Sequence, residues 1–324
     1  MKNNIKIHEY DLVSRNILFV DGIPRTGKAL LSKFLLGFEN ISAVQFFSII
    51  EQLFPLYLNK KIDINSFSAL IRLHLNENIY NYNISRNLNF RPLDLSSIFN
   101  TANPDFYLKN LNKKDGDLII KEIKSNNNYT YQYQTHDIFT NYHLFEHLKI
   151  DVKIIELIRN PISVIHSWYK RGWGERFDKA DLRNFTLLFS NNNNCFPHYI
   201  DDYNEYQSLN SIEKCVFICL QLYNKIIKQN SKLTSSKKNK VLFIAFEEIL
   251  VSPEKQGNRI SNFLNKQTQS NFNQIKKQIN IPRKINQNEL KEKKKFIYGN
   301  INKLLADQLF DLSKEYELNY LNLI

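Results

Sequence analysis

The stretch Phe19–Leu35, "FVDGIPRTGKALLSKFL", decides how the rest of the chain is read. Gly22, four residues, then Gly27 and Lys28 satisfy most of the pattern G-x-x-x-x-G-K-S/T, but Ala29 stands where a hydroxyl would hold magnesium. An apolar strand, Ile17–Asp21, enters this loop, and a helix over Lys28–Phe38 leaves it. A glycine loop so placed turns backbone N–H groups toward a ligand at the positive end of the helix dipole, which suits phosphate in general. Two readings are open: a magnesium-nucleotide site without its hydroxyl, or a site for a different phosphate ligand.

Working outward, short apolar runs alternate with amphipathic segments. Asp117–Ile123, "DLIIKEI", reads as a second strand, and Asp137–Leu148 as a helix with Ile138, Tyr142, Phe145 and Leu148 on one face. Val152–Ile158 is the near-continuous apolar run of a strand buried on both faces. Asn160 and Pro161 then supply a cap and a first-turn proline for a helix through Tyr169. Val241–Phe246 is another buried strand, followed by helices over Pro253–Leu264 and Asn302–Leu318. The alternation predicts an α/β fold of three layers, P-loop-like, with a central parallel sheet flanked by helices. Segments 59–112 and 184–210 are polar and read as irregular insertions around the ligand cleft. No convincing linker divides residues 1–324, so one domain is expected.

Composition narrows the function classes. At 324 residues and 43% hydrophobic the chain has ample material for a core. No run approaches the roughly 18 apolar residues of a membrane span, and the opening "MKNNIKIHEYDL" has no apolar signal region, so a cytoplasmic location is expected. Cys195, Cys215 and Cys219 cannot build a disulfide framework, and the last two, one helical turn apart, read as core. The net charge of +12 suits an anionic ligand. Much of it lies in "SKLTSSKKNK" and "ELKEKKKF", which read as solvated runs rather than a nucleic-acid face.

A second phosphate signal lies in "LIRNPISVIHSWY". Arg159 leaves the end of a strand and Ser167 follows eight residues later, so a guanidinium and a hydroxyl can clamp one phosphate. The magnesium reading instead needs a carboxylate at a neighbouring strand end, which Glu247 or Glu248 of "VLFIAFEE" can supply.

Taken together these segments resemble the sulfotransferases that use 3′-phosphoadenosine 5′-phosphosulfate (PAPS). "GIPRTGKALL" is similar to that family's 5′-phosphosulfate loop, G-x-P-R/K-S-G-T-T-x-L, and "RNPISVIHSWY" to its 3′-phosphate motif, R-D/N-P-x-x-x-x-x-S. "VLFIAFEEILVSPEKQGNRISNFL" resembles the later strand, Y-E-D, proline and helix. The resemblance spans about Ile17 to Leu264, with the two phosphate motifs about 130 residues apart. It implies nucleotide contacts from Gly22, Pro24, Arg25, Thr26, Gly27, Lys28, Ala29, Leu30, Arg159 and Ser167. It implies sulfuryl transfer from PAPS, leaving 3′-phosphoadenosine 5′-phosphate, to a hydroxyl or amine of an acceptor, with a saccharide favoured, and no metal. Ala29 is then tolerable, because sulfuryl transfer needs no magnesium; its main electrostatic demand is charge building on the departing phosphate, where Arg25 stands. Lys28 and Ala29 depart from the family's Thr-Thr, Phe246 from a frequent tyrosine, and Leu30 from a tryptophan of some members.

For the base that deprotonates the acceptor, the resemblance offers His136, which precedes Arg159 by 23 residues (159 − 136), with Glu122 of "IIKEIKSN" as the rival. The competing functions are a P-loop kinase or NTPase, and a nucleotide- or anionic-surface-binding module without chemistry. "HLFEH", His143–His147, matches a zinc pattern but reads as the polar edge of a helix. His166 reads as packing, Trp173 equally as a stacking platform or a hydrophobic anchor, and Lys293–Lys295 as a solvated run.

Overall fold

The computed structural model describes residues 6–324 except 95, 102, 115, 127, 149, 180, 183, 184, 192 and 193, and the side chains of Glu146 and His147 are also outside it. Five parallel strands form the central sheet: β1 (Ile17–Asp21), β2 (Gln45–Phe46), β3 (Tyr131–Gln134), β4 (Val152–Ile158) and, after a separate two-stranded hairpin, the strand Val241–Ala245. The hairpin is β5 (Leu188–Asn191) against β6 (Asn194–Pro197), which makes Val241–Ala245 β7. The order across the sheet is β2-β3-β1-β4-β7, so β1 lies between strands that follow it on either side. Such a switch point opens a crevice at the carboxyl ends of the strands.

Alternation along β1 explains the layers. Ile17 and Phe19 enter one core with Phe47, Tyr133, Ile154 and Ile158, whereas Leu18 and Val20 enter another with Leu31, Phe34, Ile155 and Ile244. Successive side chains of a strand point to opposite faces, so a strand apolar at every position needs helices on both sides. The expected three-layer α/β architecture with a central parallel sheet is what the chain forms. The strand Val152–Ile158 and the helices Pro161–Tyr169 and Pro253–Leu264 have the bounds read from sequence, and Asn160 caps the first helix by accepting from Ile162 N at 3.0 Å. The helix after the glycine loop is shorter than expected, Lys28–Leu35.

Three expectations are corrected. Asp117–Ile123 is not a strand but part of the helix Asp117–Ser125. Ile119 and Ile123, one turn apart, are buried while Leu118 is exposed, the signature of one helical face rather than a pleat. The strand beside β1 is β3, "YQYQ", whose four residues are all buried and whose Gln132 amide donates to Ser42 O at 2.7 Å. Asp137–Leu148 breaks into a 3₁₀ turn, Ile138–Asn141, and a short helix, Leu144–Leu148.

Segment 59–112 is mostly helical, not irregular. Its helix Ile64–Asn83 starts at Asp63, whose carboxylate accepts from Asn65 N and Ser66 N at 2.9 and 3.1 Å, and buries Phe67, Ile71, Leu75, Ile79 and Tyr82. Among the described residues no helix is long and apolar enough to cross a membrane.

Candidate active site

The carboxyl ends of β1, β3, β4 and β7 converge on a cavity of about 690 Å³. The glycine loop brings Pro24, Arg25, Gly27, Lys28, Ala29 and Leu30 to it, β3 leads to Gln134, His136 and Asp137, β4 to Arg159, and β7 to Phe246. The hairpin β5–β6 sits between two further wall segments, Phe185–Leu187 and His198–Tyr199, so segment 184–210 does border the cleft as expected. Among the described residues, segment 59–112 contributes none to the lining.

The loop's shape is forced. Gly27 has φ 107° and caps the Lys28–Leu35 helix; a Cβ there would lie 2.3 Å from the Phe246 ring. Arg25 itself has φ 72°, a left-handed conformation that a non-glycine residue holds only when its surroundings impose it. Those surroundings are visible. Arg159 Nη1 donates to Arg25 O at 2.9 Å, Arg25 Nε donates to Ser167 Oγ at 3.2 Å, and Trp168 Nε1 donates to Pro24 O at 2.9 Å. The two phosphate motifs of the sequence are therefore one hydrogen-bonded unit.

That unit is built for an anion. Arg159 lies over the Phe246 ring, 4.5 Å from its centroid, and its Nε is buried with no hydrogen-bond partner. Burial, followed by the neighbouring Arg171 and Arg159 charges, lowers the pKa of Arg25, as expected where cations crowd together. An incoming anion relieves both costs, so a phosphorylated ligand fits the residues present.

Lys28 does something different from the hydroxyl it replaces. Its side chain is buried, and its ammonium donates to Gly22 O and, at 2.9 Å, to Ile23 O, bracing the loop from inside. Burial lowers it to about 8, against the opposing pull of Asp21 and Glu156. Asp21 and Glu156 are register partners on β1 and β4, fully buried together. Asp21 accepts from Thr135 Oγ1 at 3.0 Å and Phe139 N at 2.7 Å, which fixes the turn after β3 that carries His136.

His136 lines the cavity with its side chain about a third exposed, 34%. Glu51, from the helix Ser48–Leu58, accepts from His136 N at 2.7 Å and lies 3.1 Å from its Nδ1. Burial, then the Lys28 charge, push His136 down to about 3, so it is the neutral, proton-accepting form near pH 7. Burial, then Asp137, push the Glu51 carboxyl up to about 8. A second pair faces the same space, His198 Nε2 lying 3.6 Å from Asp137 Oδ2.

Not every expected residue faces the cavity. The Thr26 hydroxyl is buried and donates to Ile23 O at 2.9 Å; Gly22 and Ser167 do not line the cavity either. Glu122 stands well outside it, exposed on the Asp117–Ser125 helix and paired with Lys113 at 2.7 Å. Glu247 and Glu248, the carboxylates of the magnesium reading, hold other groups: Glu247 accepts from Asn160 N at 3.1 Å and the Tyr316 hydroxyl at 2.5 Å, and Glu248 from the Tyr320 hydroxyl at 2.9 Å. Of the remaining histidines, His166 packs edge-on to Phe296, and the zinc-like pattern at His143–His147 cannot be assessed because Glu146 and His147 side chains lie outside the described residues. Trp173 combines both of its readings: it stacks on Trp168 at 5.2 Å and lines the cavity.

Glu51, Asp137 and His198 were missed by sequence reasoning. They have no motif of their own: Asp137 adjoins His136 in the chain, whereas Glu51 and His198 come to the cavity from distant segments.

On the far side of Arg159 and Phe246 lies a second cavity of about 680 Å³, also lined by Arg283, Lys284, Lys291, Lys293 and Lys294. The basic run is thus partly a wall rather than wholly a solvated surface, with Lys293 held by Glu289 at 2.5 Å.

A parallel sheet with a glycine loop at its switch point and two guanidiniums beside it is an α/β arrangement suited to an anionic ligand. The chain belongs to the sulfotransferase domain family, whose model matches residues 18–308. Among solved structures it is similar to the sulfotransferase domain of the Synechococcus PCC 7002 olefin synthase, with 14% identity, TM-score 0.45, and 97% and 98% of the two chains covered. It is also similar to a sulfotransferase from Alicyclobacillus acidocaldarius, with 12% identity, TM-score 0.37, and 91% and 95% covered. No curated protein matches it.

Proposed function

We propose that this protein transfers a sulfuryl group from PAPS to a hydroxyl, or an amine, of an acceptor, and that the acceptor is a saccharide. The observation that carries the reading is the meeting of Arg25, Arg159 and His136 at one cavity, with Ser167 bonded to Arg25. The glycine loop from Gly22 to Leu30, Arg159 and Ser167 would hold the nucleotide, which supplies an activated sulfuryl group on a phosphate leaving group. His136 takes the acceptor's proton as a neutral imidazole. Arg25 places a fixed cation where charge develops on the leaving phosphate; a guanidinium stabilises that charge but is a poor proton donor. Lys28 keeps the loop in shape, since its ammonium is bound to Gly22 O and Ile23 O. The saccharide reading is supported by a lining that combines aromatic Phe46, Trp173 and Tyr199 with polar Ser48, Gln52 and Gln134.

The test is thermal unfolding in EDTA with 3′-phosphoadenosine 5′-phosphate, ADP and ATP at equal concentration, followed by sulfuryl transfer to a panel of saccharide, phenol and amine acceptors. A ligand at 100 times its dissociation constant adds about 2.7 kcal/mol. The 3′,5′-bisphosphate is expected to stabilise most without added magnesium. Preference for ATP that requires magnesium would establish the kinase or NTPase reading instead, and nucleotide binding with no transfer to any acceptor would leave a binding module.

A further inference from the structure

We propose that Glu51 is a positioning residue that holds the His136 ring as its Nδ1–H tautomer, so that Nε2 keeps the lone pair that takes the acceptor's proton. The inference rests on the sulfotransferase reading above and adds a residue that none of its motifs contains. Glu51 lies in the first turn of the Ser48–Leu58 helix, on the β2 side of the sheet, and reaches across to the turn after β3. One oxygen, Oε1, makes both contacts: 2.7 Å to His136 N and 3.1 Å to His136 Nδ1.

The backbone N–H can only donate, so Oε1 is an acceptor toward it. An oxygen already accepting there presents its other lone pair to Nδ1, which makes Nδ1 the protonated nitrogen. The assignment places any carboxyl proton of Glu51 on Oε2, which leaves Oε1 to accept from both nitrogens of His136. A ring nitrogen fixed by a carboxylate sets which nitrogen is free for chemistry. The contact also restrains the ring twice, through its backbone and its side chain, leaving little freedom to swing away from the cavity that both residues line. The other charged groups around the pair are Lys28, Asp21, Asp137 and His198. Of these, Asp137 and His198 are paired with each other at 3.6 Å and Lys28 is bound to the loop carbonyls, whereas Glu51 Oε1 lies 3.1 Å from the His136 ring nitrogen.

The experiment uses the full chain. Nitrogen-15 NMR of the histidine rings without any ligand reads the His136 tautomer directly. The wild type is expected to show Nδ1 protonated and Nε2 bare. Glu51→Leu removes the acceptor and should shift the ring toward the Nε2–H form. It should lower kcat by about tenfold or more, as loss of an orienting partner does, while affinity for 3′-phosphoadenosine 5′-phosphate stays within about twofold of wild type. Glu51→Gln keeps a carbonyl oxygen and should restore the Nδ1–H tautomer and part of the turnover. If Glu51→Leu does not fold, the wild-type and Glu51→Gln measurements decide the matter. A wild-type His136 in the Nε2–H form, or an unchanged tautomer and kcat in Glu51→Leu, overturns the inference even in an active enzyme. The expected tautomer in a wild type that transfers no sulfuryl group overturns the functional reading, and the base role of His136 with it.

Discussion

The two cavities that meet at Arg159 and Phe246 have nearly equal volumes, about 690 and 680 Å³, and contrasting walls. One carries histidines with carboxylate partners, aromatic rings and Arg25; the other carries Arg283 and four lysines. Groups of the first kind, an imidazole and a carboxyl, can take up or release a proton in a reaction. Lysine and arginine side chains donate to an anion and offer no acceptor for a proton. Under the proposed function, bond-making belongs to the first cavity and retention of an anionic ligand to the second, with Arg159 at the border of both. Substitutions on the two sides should therefore fail in different ways.

The largest effect is expected at His136. His136→Ala should lower turnover by roughly 10²- to 10⁴-fold, the usual worth of a positioned general base, with nucleotide affinity little changed. Near-normal turnover in that variant would break the comparison at its centre; loss in Glu122→Gln instead would restore the glutamate that the structure places on an outer helix. Next comes Arg25→Ala, expected to cost on the order of 10²- to 10³-fold in kcat and clearly less in nucleotide binding, because its cation matters most when charge is developing. Equal losses in both would make Arg25 a plain anchor and erase the distinction between the two sides at the loop.

The parts of the molecule legible in sequence are those where one local rule acts alone. β4 is apolar at nearly every position because both its faces are covered, and the helix from Pro161 has both a cap and a first-turn proline, so their bounds are readable. The strand expected at "DLIIKEI" lies instead at "YQYQ", for a physical reason. A short run rich in isoleucine fits a helix face as well as a strand, and β3 hides its polarity by bonding Gln132 to Ser42. The site divides in the same way. Loop and clamp residues lie in contiguous motifs, whereas Glu51 reaches His136 from 85 residues away. Lys28 shows the limit of a matched position: its spacing suggests a ligand contact, yet burial beside Asp21 and Glu156 turns it inward.

Two further substitutions sharpen the boundary between the cavities. Arg159→Ala should weaken 3′-phosphoadenosine 5′-phosphate by about 1.5–3 kcal/mol, the worth of hydrogen bonds to a charged group, while ADP changes less. Titration calorimetry with both nucleotides decides this, and equal losses would remove the 3′-phosphate assignment. Gly27→Ala tests the wall itself. With φ 107° and a Cβ position 2.3 Å from Phe246, the substitution should destabilise the fold by about 1–3 kcal/mol and disturb ligand binding on both sides. A variant of unchanged melting temperature would mean that Phe246 yields easily and that the two cavities are less separate than they look.

The smallest expected effect is on the pH dependence of stability, and it isolates Glu51 from its neighbours. Its carboxyl is raised from 4.5 to about 8, chiefly by burial. Between those values the folded chain holds a proton that the unfolded chain has released, so stability falls as pH rises through this window and is lower above it. His136 acts on the acid side: with its pKa lowered from 6.5 to about 3, it takes stability away as pH falls below 6.5. Lys28, lowered from 10.5 to about 8, adds stability only as pH rises above 8. Glu51→Gln deletes the first of these contributions, and it also removes the Glu51 charge that acts on Lys28. From pH 5 to pH 8 the wild type should therefore lose melting temperature relative to Glu51→Gln, by on the order of 2–4 °C for a domain of this size. Scanning fluorimetry of both chains across that range measures it. Parallel curves would show that Glu51 ionises like a solvated carboxylate, and the electrostatic contrast between the two cavities would then rest on His136 alone.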